Sequence, residues 1–288
     1  AANPAARPAQ AQARLMLERL PDALLDSCRC NPAAPLAGDP GQDFGLEKNA
    51  SAAQFEAIKQ YLDQQQQLLW ANRSPAVLLW LQGPDCSGKD GVIRHLFRGL
   101  NPQGVTVCNF QQPNASERNE DFLARYRRHL PAGGSIGIFN RTPYEGVVSD
   151  LHDGFIQPAD VTGRLQQIAR FEEAITASGT LLLKVYLHIS KAEQHQRLKK
   201  RLLTPRKQWK LNAADLPAHR RFDQLQAEWA AVLQNSQRDA APWYVLPADH
   251  KWLRNLLLGS LLARQFEALN LQWPQPALPF SLADLEQA

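Results

Sequence analysis

The chain has 288 residues and carries 32 Lys and Arg against 28 Asp and Glu, a net charge of +4. That length suffices for one large α/β domain with a sizeable core, and so mild a charge does not by itself argue for nucleic acid. No apolar run reaches the length of a membrane span, the N-terminus lacks the apolar stretch of a secretory signal, and the four cysteines offer no second pair to join Cys28 and Cys30 in a zinc site or disulfide framework, which together point to a cytoplasmic protein.

Residues 1–10, rich in Ala, Pro and Gln, predict a disordered start. Residues 11–25 predict a short amphipathic helix with Leu15, Leu17, Leu20, Leu24 and Leu25 as its apolar set, and a Pro- and Gly-rich connector spans 31–45. Residues 1–45 thus read as a partly flexible N-terminal extension. A long helix over 51–72 is capped by Ser51 and ends near Pro75. Strands and helices then alternate: strand 76–81, helix 89–100, strand 104–110, helix 116–130, strand 135–139, helix 160–178, strand 180–189, helices 191–203 and 212–235, a short strand 243–246 and a closing helix 250–269. Leu181, Leu182, Leu183 and Val185 make a continuously apolar strand, which suits a parallel sheet covered on both faces. The alternation predicts an α/β fold, a doubly wound parallel sheet over 46–270 with ligands at the carboxyl ends of its strands. Residues 271–288 form a C-terminal tail.

The most informative segment is Gly83-Pro84-Asp85-Cys86-Ser87-Gly88-Lys89-Asp90-Gly91, set between a predicted strand and a predicted helix. Strand, glycine-rich loop, lysine and helix is the arrangement that cradles phosphates with backbone N–H groups and a mobile ammonium. The match to G-x-x-x-x-G-K-[ST] fails only at its last position, where Asp90 replaces the hydroxyl that would ligate Mg²⁺. Gly83, Ser87, Gly88, Lys89, Asp90 and Gly91 are therefore candidate phosphate-binding residues. A second signal follows the strand 135–139, where Asn140 and Arg141 stand at the position that faces the phosphate site in nucleotide-binding sheets. An arginine there grips phosphate oxygens in pairs and spreads charge on a phosphoryl group in transit. The third signal lies between positions 191 and 221, with ten Lys or Arg and only Glu193 and Asp215 as acids. Two basic helices around Pro205 describe a helical lid over phosphates. Stacking aromatics at regular spacing are missing from it, so nucleic acid is not expected.

These signals, in this order, resemble the polyphosphate kinase 2 family. The resemblance rests on the loop with its internal Asp85, on Phe139-Asn140-Arg141-x-x-Tyr144-Glu145, on Trp209-Lys210-x-x-x-x-Asp215, and on the late blocks Ala241-Pro242-Trp243-Tyr244-Val245 and Ala248-Asp249-His250-Lys251-Trp252 with Arg254-Asn255. It runs over about 46–269. What it implies is a P-loop kinase of thymidylate-kinase-like fold that moves phosphoryl groups between polyphosphate and nucleoside mono- or diphosphates, AMP or ADP, with Mg²⁺. By resemblance Asp85 ligates Mg²⁺ and positions the acceptor phosphate, and Lys89 holds phosphates in flight. Asn140, Arg141 and Glu145 orient the acceptor, and Lys207, Lys210, Arg220 and Arg221 line the lid. A homo-oligomer, dimer or tetramer, is expected. The chain departs from the family pattern at Gly146, where an Asp is usual, at Leu151, where a cation is usual nearby, and at Gln111, where a Lys is common. Arg118, Arg125, Asp150 and Asp153 are candidate substitutes, and Asp, Arg and Lys at 146, 151 and 111 are expected to raise turnover. A catalytically weakened, regulatory family member that binds nucleotide or polyphosphate is the alternative reading. An ATP-dependent small-molecule kinase is a third, disfavoured by Asp90.

Overall fold

The computed structural model describes residues 19–288, so the expected disordered start and the first part of the predicted 11–25 helix lie outside the described residues. In chain order the helices are α1 (Asp22–Ser27), α2 (Ala50–Asn72), α3 (Lys89–Leu96), α4 (Ala115–Arg118), α5 (Ala124–Arg127), α6 (Glu145–His152), α7 (Val161–Ala177), α8 (Lys191–Leu202), α9 (Pro205–Gln208), α10 (Asp215–Arg220), α11 (Phe222–Ser236), α12 (Lys251–Leu269) and α13 (Leu282–Glu286). The strands are β1 (Val77–Gln82), β2 (Val105–Asn109), β3 (Ile136–Asn140), β4 (Leu181–His188) and β5 (Trp243–Pro247).

All five strands are parallel, in the order β2-β3-β1-β4-β5. Alternation along the central strands feeds two cores. Val77, Leu79 and Leu81 pack with Ile58 and Leu62 of α2, Val92 of α3 and Leu256 of α12. Leu78 and Trp80 pack on the opposite face with Val147 of α6, Ile168 and Phe171 of α7 and Trp229 of α11. The sheet is therefore covered on both sides, as its apolar strands require. Helix α12 is buried without a break from Leu253 through Ala263, with Arg254, Asn255 and Ser260 buried among its leucines. Gly259 lets it approach, since a Cβ there would lie 3.0 Å from Ile58 and 3.1 Å from Leu96.

The outer edge of β5 is covered by the chain before the domain. The Cys30 amide donates to the Trp243 carbonyl and the Val245 amide to the Cys28 carbonyl, both at 2.8 Å. Leu20 and Leu25 are buried against the first core. This pairing removes an open strand edge. Among the described residues, no helix is long and apolar enough to cross a membrane.

Several elements differ from the sequence expectations, among them the single helix expected over 212–235, which is the two helices α10 and α11 parted at Arg221. Ser51 does not cap α2; it is buried inside the first turn, with Asn49 before it. Helix α3 stops at Leu96, and Gly99 then takes a positive φ. The single helix expected over 116–130 is two separate turns, because the Asn114–Glu117 capping box starts one and buried Leu123 and Tyr126 anchor the other. Helix α6 is absent from the elements that the residue pattern predicts; Gly146, Val147 and Val148 are weak helix formers, and the turn is held by burying both valines.

One buried polar cluster ties the second core to the site. Lys184 of β4, fully buried, donates to both carboxylate oxygens of Glu172 at 2.9 and 3.0 Å and to the Ser236 carbonyl at 3.1 Å. Tyr144, in the loop after β3, donates to the same carboxylate at 2.6 Å. Removing one partner strands a charge in the core. Lys184→Met is expected to cost about 3–5 kcal/mol in urea unfolding, and Lys184→Met with Glu172→Leu to recover most of it.

Candidate active site at the phosphate loop

The turn from β1 into α3 is built by satisfying its carbonyls from within. Lys89 donates to the Gly83 carbonyl at 2.6 Å and the Pro84 carbonyl at 3.2 Å. Gln194 of α8 donates to the Asp85 carbonyl at 2.9 Å. Arg197, one turn on, donates to the Cys86 and Ser87 carbonyls at 2.8 and 2.9 Å. Arg254 of α12 reaches the Ser87 carbonyl at 3.0 Å. Five successive carbonyls thus face protein donors. The amides of Cys86, Gly88, Lys89, Asp90 and Gly91 have no acceptor among the described residues. A run of unpaired amides at a helix N-terminus is an anion site.

The backbone conformation explains the glycines. Gly83 has φ +146°, and a Cβ on it would meet the Leu187 carbonyl at 2.7 Å. Gly88 has φ +99°, and its Cβ would stand 1.9 Å from Arg254 Nη1. Cys86 takes φ +67° without being glycine, an uncommon strained conformation at the centre of the loop. Lys89 departs from expectation. It is buried rather than facing solvent, because a desolvated ammonium needs acceptors and the loop's own carbonyls are in reach. Burial also holds its pKa below the usual lysine value.

Across the loop, Asn140 ends β3 and is buried; its amide donates to Asp90 Oδ1 at 2.8 Å, while its Oδ1 has no partner among the described residues. Arg141 has φ +75° and places its guanidinium 3.7 Å from the Asp85 carboxylate, whose side chain is 47% exposed. Gln82, the last residue of β1, was not singled out from sequence. Its Oε1 accepts from the Thr142 amide and hydroxyl at 3.1 Å, and its Nε2 donates to Glu145 at 2.7 Å. Glu145 also accepts from Ser149. Gln82 therefore fixes the loop after β3 to β1; a polar residue closing an apolar strand was the signal available for it.

The lid cations divide. Lys210 comes within 3.9 Å of Asp90 and lies 5.0 Å from the ring centre of Trp209, which is 77% exposed. Arg221 lies 2.7 Å from His152 Nδ1. Lys207 and Arg220 form no ion pair among the described residues. Arg197, by contrast, faces inward beneath the loop. Helix α10 is linked to the loop through His219 and Gln194, 2.6 Å apart.

Of the positions that depart from the family pattern, Gly146 has its space filled, whereas Gln111 is exposed and Leu151 half-buried. A Cβ on Gly146 would meet the Phe122 ring at 2.8 Å and Arg164 Nη1 at 3.1 Å. The nearby acid is Asp150, one turn on, which accepts from Arg164 at 2.9 Å and whose pKa is raised chiefly by burial. Of the other candidate substitutes, Arg125 lies 3.4 Å from Glu117, Arg118 stacks 4.2 Å from the Phe155 ring centre, and Asp153 accepts from Gln112 at 3.1 Å. A groove of about 700 Å³ between α7 and residues 120–127 is lined by Phe122, Arg127, Arg164 and Arg170 but by none of the loop residues. Gly146→Asp is therefore expected to destabilise the fold by about 1–3 kcal/mol in a thermal melt rather than simply restore an acid, and Phe122→Ala in the same chain to relieve it.

The polyphosphate kinase 2 family model matches residues 45–273. The chain is 37% identical over 256 residues to the AMP/ADP-polyphosphate phosphotransferase of Meiothermus ruber, covering 89% of this chain and 94% of that one. It is 38% identical over 236 residues to the ADP-polyphosphate phosphotransferase of Rhodopseudomonas palustris, covering 77% and 82%. The crystal structure of polyphosphate kinase 2 from Arthrobacter aurescens TC1 superposes with a TM-score of 0.85 at 33% identity, covering 91% of this chain and 94% of that chain. With its parallel sheet, phosphate loop and flanking helices matched along most of its length, the chain belongs to the polyphosphate kinase 2 family.

Proposed function

We propose that this protein transfers phosphoryl groups between inorganic polyphosphate and nucleoside mono- and diphosphates, with AMP and ADP as the preferred nucleotides. The observation that carries this reading is the phosphate loop, its carbonyls bound from below and its amides left for an anion, with Asp85 and Arg141 facing each other at its mouth. Phosphoryl transfer asks little covalent chemistry of a protein and much positioning and charge dispersal. The loop amides grip phosphates, joined by Lys89 once phosphate draws it from the Gly83 and Pro84 carbonyls, Arg141 steadies the group in transit, and Asn140 holds Asp90 in place. Lys207, Lys210, Arg220 and Arg221 supply the lid charge that a polyanionic donor needs. On this reading Ser87 and Gly91 complete the loop and Glu145 orients the rim that carries Arg141.

The described residues contain no cluster of three or more His, Cys, Asp or Glu able to hold a metal alone. Magnesium asks less, since one or two carboxylates with substrate phosphates and water complete its shell. Exposed Asp85 fits that role, and the bound ion neutralises phosphate charge. The catalytic unit is taken as 46–270, with 191–221 as its lid, 1–45 as an extension and 271–288 as a tail. Four buried, unbonded cysteines support a cytoplasmic protein. Exposed Trp273, Leu278 and Phe280 in the tail support self-association. Uncharged Gln111, Gly146 and Leu151 favour a second reading, a family member of low turnover.

A coupled assay for ATP formation with polyphosphate, Mg²⁺ and each of AMP, ADP, GMP and GDP tests both readings. Brisk turnover removes the second; none with any nucleotide removes the first. Asp85→Asn is expected to abolish transfer with an unchanged melting temperature. Lys89→Ala is expected to abolish it while costing about 1–3 kcal/mol of stability, because the Gly83 carbonyl loses its donor. Hydrogen exchange over 204–221 is expected to slow when polyphosphate is added, as phosphates neutralise the lid's self-repelling cations. Equal exchange in both conditions argues against a closing lid.

A further inference from the structure

Arg254 sits in the first turn of α12, beneath the phosphate loop, and is 2% exposed. Its Nη1 donates to the Ser87 carbonyl at 3.0 Å, and its Nε and Nη2 donate to Asn255 Oδ1 at 3.2 and 2.8 Å. The guanidinium lies flat against the loop-to-helix turn, since a Cβ on Gly88 would stand 1.9 Å from Nη1 and one on Gly91 3.5 Å from Nη2. No carboxylate among the described residues pairs with it. The charged group that acts most on it is a second buried guanidinium, Arg197, and Lys251 nearby is a further cation. Arg197 has one acid, Glu193 at 2.6 Å, and spends its other donors on the carbonyls of Cys86, Ser87, Ala248 and Asp249. The Arg197–Arg254 pair thus has one ion-paired carboxylate, Glu193, between two guanidinia, and a positive charge is left over. Burial, and then the neighbouring Arg197, bring the Arg254 pKa down to about 9, so the charge persists at neutral pH.

A buried charge with neutral partners is costly, and a neutral side chain would brace one carbonyl as well. What a cation adds is a fixed positive potential on the inner side of a loop whose amides face outward.

We propose that Arg254 is a positioning residue that acts on bound phosphate through the loop, as a buried counter-cation left unpaired by the protein so that the phosphate completes its charge balance. This deepens the phosphate-loop reading above and rests on it. It also assigns Asn255 a role: an amide at this position accepts two hydrogen bonds from Arg254 without cancelling its charge.

Asn255→Asp separates charge from bracing, because a carboxylate keeps both hydrogen bonds and neutralises the guanidinium. Tripolyphosphate binding to the full-length chain, measured by calorimetry, is the readout, with a thermal melt of the free protein. Asn255→Asp is expected to melt at or above wild type and yet to bind tripolyphosphate about tenfold more weakly. Arg254→Lys, which keeps the charge, is expected to retain more affinity than Arg254→Gln, which keeps a donor but not the charge. Unchanged affinity in Asn255→Asp overturns the inference, as does equal loss in Arg254→Lys and Arg254→Gln with lowered melting, the signature of a brace alone. If wild type itself fails to bind tripolyphosphate, the phosphate-loop reading falls and this inference with it; if wild type binds and Asn255→Asp matches it, only the inference falls.

Discussion

The constraint on which the site depends is the orientation of five carbonyls, residues 83–87. A loop that offers its amides to an anion must turn its carbonyls the other way, into protein, where each needs a donor. Here the donors come from three helices. Lys89 belongs to α3, Gln194 and Arg197 to α8, and Arg254 to α12. The loop is therefore held in shape by the same helices that close the first core and root the lid. This is preorganisation by hydrogen bonding: the cost of orienting the amides is met by folding rather than at the moment of binding.

Buried charge is used in two opposite ways on the two faces of the sheet. Behind β4, Lys184 and Glu172 neutralise each other and recruit Tyr144 and Ser236, so that each strong hydrogen-bonding group has a partner. Beneath the loop, Arg254 has carbonyl and amide partners only. The first arrangement fixes the loop after β3 relative to β4. The second leaves a positive potential behind the loop amides.

The acids at the site mirror this. Asp85 faces Arg141, and Asp90 accepts from Asn140 and approaches Lys210 from the lid. Asp90 stands where a P-loop usually has a hydroxyl. In this fold it joins the end of β3 and the lid to the first turn of α3, a contact that a Ser or Thr side chain is too short and uncharged to reproduce. Lys210 of the segment 191–221 and Asn140 of β3 thus meet at one carboxylate.

Much of this was legible in the sequence, because the strand, glycine turn and helix around Lys89 are local. Their conformations follow from positive φ at Gly83 and Gly88 and from apolar runs that fit only a doubly covered sheet. Asn140 and Arg141 were legible for the same reason, as residues ending a strand beside the loop. Helix α6 was not legible, since Gly146 and two valines disfavour a helix that only burial against the second core makes stable. The inward turn of Lys89 was not legible either, since it depends on which acceptors surround a desolvated ammonium. The bracing roles escaped, although Arg254 stood in a family block and Arg197 in the basic segment: Gln194, Arg197 and Arg254 meet the loop from 109, 111 and 167 residues away along the chain. The sequence by itself determined the phosphate-binding chemistry and the sheet that carries it, because both are written in local patterns of glycine, charge and apolarity. Only the tertiary structure decided which cations hold the loop carbonyls from behind and which stay exposed, because charge type is a property of a residue while burial and partnership are properties of the packed chain.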